Sequence, residues 1–298
     1  MNSITIPDAL LIDTSLPVQI FDYSSSRKIS KQQIILNQNT FSFLLEGYKD
    51  VIFDNSSLSI NNSKFVLMKS GHCLMTEQLS DRNNYRSLLF FFSDTALSKF
   101  IESIEFTNTD FQKNSSVHAF EYDEFIRNFI QSLTVILKLS GKIRNNLLEV
   151  KFQEIMLYLT ELHGTHFLNS LISNNNDSTR KFIRTIESNQ LNKLTLKELA
   201  FLCNMSISTF KREFEKQYAQ SPVKWFQNKR LEYAHHLISK EHKSATEIYF
   251  EVGYENLSSF IQAYKIKYGT TPEGSIIKVE LPATVFEHLS KLLLYCEN

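Results

Sequence analysis

The sequence predicts a two-domain α+β protein, in which an N-terminal domain of strands and helices precedes an all-α C-terminal domain. Two observations support this prediction. Up to about residue 95, short apolar runs alternate with turn residues, which is typical of a β-sandwich or barrel. Between residues 194 and 272 one helical unit occurs twice, and self-similarity at a fixed period indicates a duplicated structural unit. The 298 residues are enough for two domains, each with its own core.

Eight strands are predicted in the first part of the chain. Each run is short, rich in Ile, Val, Phe and Leu, and bounded by Gly, Asn, Asp or Ser. The predicted strands are Val18–Asp22, Gln33–Leu36, Phe41–Leu45, Asp50–Phe53, Leu58–Ile60, Lys64–Met68, Cys73–Glu77 and Tyr85–Phe92. Their regular spacing favours a closed or two-layered β structure over an open sheet.

From Ser93 onward the apolar spacing changes to the helical period of about 3.6 residues. It predicts helices over Asp94–Ile104, Tyr122–Leu139 and Ile143–Leu162. These helices have more apolar surface than the end of a small barrel requires. Two interpretations stay open: they pack against the barrel alone, or they also form a dimer interface. We expect a homodimer.

The duplicated unit has the pattern helix, tight turn, helix, and ends at a Ser/Thr-Pro pair. Its two copies align at an offset of 50 residues. The matched pairs are Phe210 with Phe260, Phe214 with Tyr264, Tyr218 with Tyr268, Ser221 with Thr271 and Pro222 with Pro272. This pattern is a tandem helix-turn-helix, a motif that places its second helix in the major groove of DNA.

The capping and turn residues predict the local structure of the first copy. Thr195 and Glu198 have the spacing of a capping box at the start of the first helix. Asn204 tolerates a left-handed turn conformation, and Ser206 is a good N-cap for the second helix. The residues that face outward near the start of this second helix are Ser208, Thr209, Lys211 and Arg212. Side chains of these types donate to base edges and phosphates.

The second copy repeats this pattern with a different outward face. Ser244 and Glu247 form its capping box, and Gly253 occupies a left-handed position. Asn256 can cap its second helix, which carries Ser258, Ser259, Gln262 and Lys265 outward. Between the copies, Val223–Ser239 predicts a connecting helix of roughly 24 Å. This length could place the two second helices near one DNA turn apart, about 34 Å.

Residues Leu194–Pro272 resemble the DNA-binding domain of the AraC/XylS family of bacterial transcription regulators. The matching positions are Ala200, Ser206, Phe210, Arg212, Phe214, Ser221, Pro222, Trp225, Arg230, Ala234, Leu237, Ile238, Ile248, Val252, Gly253, Tyr254, Phe260, Tyr264, Lys265, Tyr268, Gly269, Thr271 and Pro272. Two departures stand out. Gln262 occupies a position where the family often has Arg, which alters the base preference of the second reader. Glu273 follows the final Pro where an aromatic–Arg pair is usual, which alters the C-terminal edge.

The resemblance implies a sequence-specific, DNA-binding transcription regulator, an activator that contacts RNA polymerase. Within this motif we expect base contacts from Ser208, Thr209, Lys211, Arg212, Ser258, Ser259 and Gln262. We expect phosphate contacts from Lys197, Lys216, Lys265 and Lys267. Arg230 is as suited to a structural pairing as to DNA. The partner is double-stranded DNA.

The resemblance also concerns the N-terminal domain. It implies a cupin-like barrel that senses a small ligand or a partner protein. The segment Phe41–Phe92 resembles the N-terminal domain of type III secretion activators of the family. Ligand binding would then bias the two domains between DNA-competent and DNA-incompetent arrangements.

The domain boundaries are predicted from composition and pattern. The predicted segments are an effector and dimerisation domain, residues 1–172 (barrel about 1–95, helices about 96–172), a linker, 173–180, a DNA-binding domain, 181–275, and a C-terminal extension, 276–298. The DNA-binding domain is expected to begin with a helix over Lys181–Ser188. The extension is expected to contain an extended piece, Ile276–Leu281, and an amphipathic helix, Val285–Tyr295.

The formal net charge of zero conceals an asymmetry along the chain. Residues 178–275 contain 15 Lys or Arg against 10 Asp or Glu, a net charge of +5, whereas residues 1–177 carry −4 and residues 276–298 carry −1. The positive segment coincides with the repeat, which fits a DNA partner. Its modest size predicts modest affinity for one monomer.

Cysteine usage and the absence of apolar runs predict the compartment. Cys73, Cys203 and Cys296 lack the spacing of a disulfide framework or a metal site, so a reducing interior is expected. The N-terminus does not resemble a signal peptide, and no run approaches the ~18 apolar residues of a membrane span. We therefore expect a cytoplasmic, nucleoid-associated protein with no membrane partner.

Two other function classes stay open. A cupin-type enzyme with a DNA-binding appendage would need two or three His and a carboxylate around one metal. His72 is the only histidine before residue 118, so we expect no catalytic residue, metal or cofactor. A non-specific architectural DNA binder would bind promoter and random DNA equally. His235 and His236 are interpreted as surface residues, because neighbours in a helix point about 100° apart.

Overall fold

The computed structural model describes residues 3–10, 12, 13, 15–104, 115–172 and 178–276. The chain divides into two compact units, the first formed by residues 1–189 and 194–210 and the second by residues 190–193 and 211–298. This grouping does not follow the boundaries expected at residues 172, 181 and 275. Those boundaries therefore stay a prediction.

The first unit contains ten strands in two five-stranded sheets. The strands are β1 (Ile4–Ile6), β2 (Val18–Ser25), β3 (Ile29–Leu36), β4 (Asn39–Glu46), β5 (Tyr48–Ile52), β6 (Ser57–Ile60), β7 (Lys64–Met68), β8 (Gly71–Gln78), β9 (Tyr85–Phe92) and β10 (Val117–Glu121). The order β1-β3-β8-β5-β6 forms the outer sheet, and the order β10-β7-β4-β9-β2 forms the central sheet. All eight predicted strands are confirmed. β1 and β10 were missed, and both lie at the edge of a sheet.

The central sheet is buried on both faces. Along β4, Phe41 and Phe43 belong to the core on the helical side, whereas Leu44 belongs to the core between the two sheets. β9 alternates in the same way, because successive side chains of a strand point to opposite faces. A strand buried on both faces reads as a continuous apolar run, which explains the uninterrupted sequence Leu88–Phe92.

Two buried charged residues, Lys49 of β5 and Glu77 of β8, occupy paired positions of the outer sheet. Lys49 of β5 is fully buried, and its Nζ donates to Ser42 Oγ at 2.8 Å. Burial lowers the pKa of Lys49, while the nearby Glu77 carboxylate acts in the opposite direction. Burial raises the pKa of the Cys73 thiol to about 12, as it does for Cys203, and both cysteines are free.

The first unit also contains helices. Helix α1 (Asp94–Glu102) precedes β10, and α2 (Glu124–Ile136), α3 (Gly141–His163) and α4 (His166–Ile172) follow it. The first three confirm the predicted helices: α1 and α2 are shorter than predicted, and α3 is longer at both ends. α2 begins at Glu124 rather than Tyr122 because Asp123 caps it, its Oδ1 accepting from Ile126 N at 2.8 Å.

Helices α5 (Ser178–Ser188) and α6 (Leu196–Leu202) also belong to the first unit. Arg184 of α5 forms an ion pair with Asp54, Nη2 to Oδ2 at 2.7 Å, and Asp54 is largely buried. The ring of Phe201 of α6 meets His72 of β8 edge-on, with centroids 4.9 Å apart. α5 begins three residues before the predicted start at Lys181, so the end of the predicted linker is helical. The rest of that linker, residues 173–177, lies outside the described residues.

The second unit is organised around one long helix. The remaining helices are α7 (Ile207–Tyr218, whose first residues belong to the first unit), α8 (Pro222–Glu241), α9 (Ala245–Ile248), α10 (Leu257–Tyr268) and α11 (Pro272–Ile276). α8 has 20 residues and is therefore roughly 30 Å long, longer than predicted. Trp225 near its start packs on Phe214 of α7, with ring centroids 5.7 Å apart. Its second half packs on α9 and α10 through Leu231, Ala234, Leu237 and Ile238.

The interpretation of His235 as a surface residue was wrong. Its Nδ1 lies 2.6 Å from Tyr264 Oη, and its ring stacks on Tyr268 with centroids 4.5 Å apart. His235 therefore joins α8 to α10, while the neighbouring His236 is exposed. The predicted C-terminal strand and helix fall on residues 277–298, outside the described residues.

The repeat extends to the residue that ends each second helix. Ala219 follows α7 with φ +52°, and Gly269 follows α10 with φ +73°. Each N–H bonds the carbonyl four residues earlier, Glu215 O at 2.9 Å and Lys265 O at 2.8 Å. Glycine adopts this left-handed conformation without strain, whereas alanine does not.

We therefore predict opposite effects of two exchanges. Ala219→Gly should raise the melting temperature, because relief of left-handed strain is worth about 1 kcal/mol. Gly269→Ala is the matched control and should lower it by a similar amount, since an added Cβ there meets nothing within 4 Å and acts through the backbone alone. Thermal unfolding followed by circular dichroism measures both. If both exchanges shifted the melting temperature in the same direction, the assignment of left-handed strain to Ala219 would be wrong.

Candidate nucleic-acid interface

The first helix-turn-helix has the predicted caps. Glu198 N donates to Thr195 Oγ1 at 3.2 Å and Thr195 N donates to Glu198 Oε2 at 2.6 Å, which completes the capping box. The turn is made by Asn204, whose φ is +55°. Ser206 then caps α7, its Oγ accepting from Thr209 N at 3.1 Å. These bonds fix where α7 starts and therefore which side chains it presents.

The second helix-turn-helix is built in the same way. Ser244 N donates to Glu247 Oε2 at 2.7 Å at the start of α9. Gly253 has φ +89°, as its turn position requires. Asn256 caps α10, its Oδ1 accepting from Ser259 N at 2.8 Å. The two copies therefore share both their caps and their left-handed turns.

We call α7 the first reader and α10 the second reader. Ser208, Lys211 and Arg212 of the first reader are exposed, whereas Phe210 and Phe214 are fully buried. Thr209 is half-buried, and its Oγ1 accepts from Ser206 Oγ at 2.9 Å. Ser208 Oγ also lies 3.0 Å from Ser206 Oγ, so two of the four predicted base-contact residues of this reader, Ser208 and Thr209, are already engaged at the helix cap.

The second reader exposes the equivalent positions. Ser258, Ser259 and Gln262 are exposed, and Lys265 is exposed one turn further on. Phe260 and Tyr264 are fully buried and fix the orientation of α10 on α8. The structure thus brings the three predicted base-contact residues onto one solvent-facing side of the helix.

The four predicted phosphate lysines differ in their surroundings. Lys197, Lys216 and Lys265 are exposed, and Lys216 Nζ lies 3.9 Å from Glu213. Lys267 differs, because its side chain is only 19% exposed and its Nζ donates to Asn228 O at 2.7 Å and to Glu232 Oε1 at 3.1 Å. These bonds join α10 to α8. We therefore correct the expectation for Lys267 and assign it to the scaffold.

Arg230 is likewise part of the scaffold. Its Nε donates to Phe226 O at 3.4 Å, within α8. A Cβ added to Gly253 would lie 2.8 Å from Arg230 Nη1. The guanidinium therefore packs directly over the turn of the second helix-turn-helix, and glycine is required there both for its φ angle and for this close approach.

Sequence reasoning missed one exposed residue of the second reader. Ile266 follows Lys265 and is 79% exposed. Its counterpart at the 50-residue offset is Lys216, an exposed lysine of the first reader. That equivalence was the available signal.

The structure also bears on the metal-enzyme alternative. Among the described residues, no group of three or more His, Cys, Asp or Glu is arranged to hold a metal ion. The His72 ring packs edge-on against Phe201. Burial, together with the nearby charge of Lys181, lowers the pKa of His72. Within the part of the chain that the structure describes, no helix is long and apolar enough to cross a membrane.

Comparisons with known proteins match both parts of the chain. A family model described as the ExsA N-terminal regulatory domain matches residues 39–170. A model described as a helix-turn-helix domain matches residues 199–274. The first match includes the segment Phe41–Phe92 that resembled type III secretion activators.

Relatives with curated names match over long segments. The thermoregulatory protein LcrF of Yersinia pestis is 29% identical over 182 residues, which is 61% of this chain and 67% of that protein. The HTH-type transcriptional regulator ExsA of Pseudomonas aeruginosa is 29% identical over 127 residues, 42% of this chain and 46% of that protein. Among solved structures, ToxT of Vibrio cholerae is 16% identical and covers 87% of this chain and 98% of its own, with a TM-score of 0.39.

Both halves of the chain therefore match regulators of one kind, and the helix-turn-helix match falls on the two units whose caps and turns the structure shows. The chain therefore carries an ExsA-type N-terminal regulatory domain and a helix-turn-helix domain of the AraC type, and the relatives that it matches are transcription regulators.

Proposed function

We propose that this protein is a sequence-specific transcription activator that binds double-stranded DNA as a homodimer and acts with RNA polymerase at the chromosome, in the cytoplasm. The observation that supports this proposal is the pair of readers. Each presents exposed polar or basic side chains on one side and buries two aromatic residues on the other. Within the second unit, α8 packs against both α7 and α10, so one rigid helix supports both readers.

The side chains of the two readers suit different bases. Arg212 can pair bidentately with guanine O6 and N7, and Lys211 can donate to the same acceptors. Gln262 can pair bidentately with adenine N6 and N7. Ser208, Thr209, Ser258 and Ser259 add shorter hydroxyl contacts near the helix starts. Lys197, Lys216 and Lys265 are positioned on the surface for phosphates.

The first experiment is the mapping of bound genomic fragments, followed by a gel shift on the recovered duplex and on a scrambled duplex of equal length. A specific regulator binds the recovered duplex at least about a thousandfold more tightly at one salt concentration. Equal binding would support the architectural alternative instead. A stoichiometric metal in the purified protein would revive the enzyme alternative, for which we propose no catalytic residue and no cofactor.

The homodimer is proposed from one face of α3. Ile143, Val150 and Leu157 are exposed by 60%, 60% and 52% and are spaced seven residues apart. A seven-residue apolar repeat forms a stripe along a helix that suits a second helix. Val150 is midway between the other two, so a two-fold axis through Val150 would pair Ile143 with Leu157 of the second copy. Such a self-complementary contact is what a symmetric dimer requires.

We also propose that the N-terminal domain receives the signal. The two sheets and helices α1 to α6 belong to one compact unit, in which the ion pair Asp54–Arg184 and the ring contact His72–Phe201 join α5 and α6 to the strand domain. A ligand or partner that alters these contacts would change how the helices before the first reader are held. The effector can shift the equilibrium between the two arrangements by no more than the difference in its affinity for them.

The first prediction about DNA binding concerns base recognition. Arg212→Ala should weaken binding to the recovered duplex by about 1–3 kcal/mol, because a bidentate contact to one base is lost. Lys211→Ala should act in the same direction. Lys240→Ala removes the same charge from the last turn of α8, outside both readers, and serves as the control. The measurement is a gel shift at fixed salt. If Lys240→Ala weakened binding to the recovered duplex as much as Arg212→Ala does, Arg212 would no longer be assigned as a base contact.

The second prediction separates phosphate contact from scaffold. Lys265→Ala should weaken binding to all sequences and should lower the slope of log K against log salt by about 0.9. Lys267→Ala should leave that slope unchanged and lower the melting temperature, because Lys267 bonds Asn228 and Glu232. Titrations at four or five salt concentrations measure both slopes. If Lys267→Ala lowered the salt slope and Lys265→Ala did not, Lys267 would contact phosphate and Lys265 would belong to the scaffold.

The third prediction concerns the dimer. Val150→Glu should convert the dimer to a folded monomer, because it places two like charges at the proposed two-fold axis. Glu149→Gln changes an exposed neighbour that points about 100° away and should leave the dimer intact. Light scattering after size exclusion gives the mass, and circular dichroism verifies the fold. A folded dimer of the Val150→Glu protein would contradict this interface.

A further inference from the structure

Ile266 has the greatest exposure of any large apolar side chain among the described residues, at 79%. A single exposed apolar residue is common on protein surfaces and by itself indicates nothing. What distinguishes Ile266 is its place on the second reader. It follows Gln262 by four residues and Ser258 by eight, so the three side chains lie within about 80° of one another around the axis of α10. Gln262 and Ser258 are exposed as well, so Ile266 extends the solvent-facing side of the helix that carries the proposed base contacts.

The contacts of α10 with its surroundings fix this outward direction. Phe260 and Tyr264 are fully buried on the opposite side of the helix, since two residues correspond to about 200° around its axis. Tyr264 Oη lies 2.6 Å from His235 Nδ1 and donates to Ser275 Oγ at 3.0 Å. Rotation of α10 that turned Ile266 inward would break these two hydrogen bonds and expose both aromatic rings. The apolar side chain is therefore held in solvent by the same core that orients the reader.

The two readers carry different chemistry at equivalent positions. At the 50-residue offset, Arg212 of the first reader corresponds to Gln262 of the second, and Lys216 corresponds to Ile266. Both positions are exposed in both readers, and at each the first reader has a cation where the second has an uncharged side chain. An isoleucine cannot contribute to phosphate binding by charge or by hydrogen bonding. The second reader therefore presents an amide followed, one helical turn later, by a branched apolar group.

One group in the major groove of DNA complements such a side chain. Guanine, cytosine and adenine present hydrogen-bond donors and acceptors there, whereas thymine also presents its C5-methyl group, which apolar side chains contact. Gln262 suits adenine, and a segment rich in A·T pairs offers adenine edges and thymine methyl groups together. Ile266 lies about 6 Å further along the helix axis than Gln262, which is roughly two base-pair steps of 3.4 Å. The two side chains thus suit two bases of one short segment.

We propose that Ile266 is a specificity-determining residue that packs on the C5-methyl group of a thymine about two base pairs from the adenine bound by Gln262. The second reader then recognises an A·T-rich segment, while the first reader, with Arg212, recognises guanine. This inference rests on the proposed DNA binding and deepens it, because it names a base that the second reader selects and the side chain that selects it.

The test uses the full chain and a set of recovered duplexes in which each thymine in turn is replaced by deoxyuridine. This exchange removes one methyl group and leaves the base pairing unchanged. The unaltered protein should bind about fourfold more weakly when the thymine contacted by Ile266 is exchanged, because the burial of one methyl group is lost. Ile266→Ala should bind the thymine-containing duplex more weakly by a similar or larger factor and should no longer respond to the exchange at that position. Gel shifts at one salt concentration measure all four affinities of this cycle.

Two further variants serve as controls. Ile172→Ala makes the same exchange at another exposed isoleucine, at the end of α4 and outside both readers. It should bind as the unaltered protein does and keep the full response to deoxyuridine. Ile266→Val retains a branched apolar side chain and should keep most of that response, whereas a purely structural role of this exposed position would give no response that depends on the base. Circular dichroism verifies that each variant is folded.

The results that overturn the inference differ from those that overturn the proposed function. If the unaltered protein selects the recovered duplex over the scrambled one, but Ile266→Ala responds to every deoxyuridine exchange as the unaltered protein does, Ile266 reads no thymine and the inference is wrong. The same conclusion follows if Ile266→Ala binds the recovered duplex with unaltered affinity, and the side chain would then be free to contact a partner protein. If the unaltered protein binds both duplexes equally, the proposed function fails, and the inference fails with it.

Discussion

Burial of the central sheet on both faces is the constraint on which the N-terminal half depends. Strands such as β9 carry large aromatic residues on each side, so a second layer must cover each face. The outer sheet covers one face and α1, α2 and α3 cover the other. α3 is thereby held with Phe152 and Ile155 inward. The same orientation leaves Ile143, Val150 and Leu157 outward, so the proposed dimer stripe is a consequence of how the core is covered.

The sequence could predict what local chemistry determines. Caps at Thr195, Ser206 and Asn256, left-handed turns at Asn204 and Gly253, and eight strands bounded by turn residues are all encoded within a few residues. Long-range contacts were not predictable in this way. Lys267 has the sequence context of a surface lysine, and only the proximity of Asn228 and Glu232 on α8 makes it structural. β1 and β10 are edge strands with weak patterns.

The charge distribution explains why two readers and two copies are useful together. With Lys267 assigned to the scaffold, one chain offers three lysines for phosphate contact, besides the donors on the readers. Each phosphate contact contributes about 0.9 to the salt slope, so a single chain is expected to bind weakly at physiological salt. Joining a second chain through α3 makes the second binding event intramolecular, which can raise the overall affinity by about 10²–10⁴ without a new contact. In this proposal, specificity resides in the proposed base contacts of Arg212 and Gln262, while occupancy of the DNA site depends on the proposed dimer.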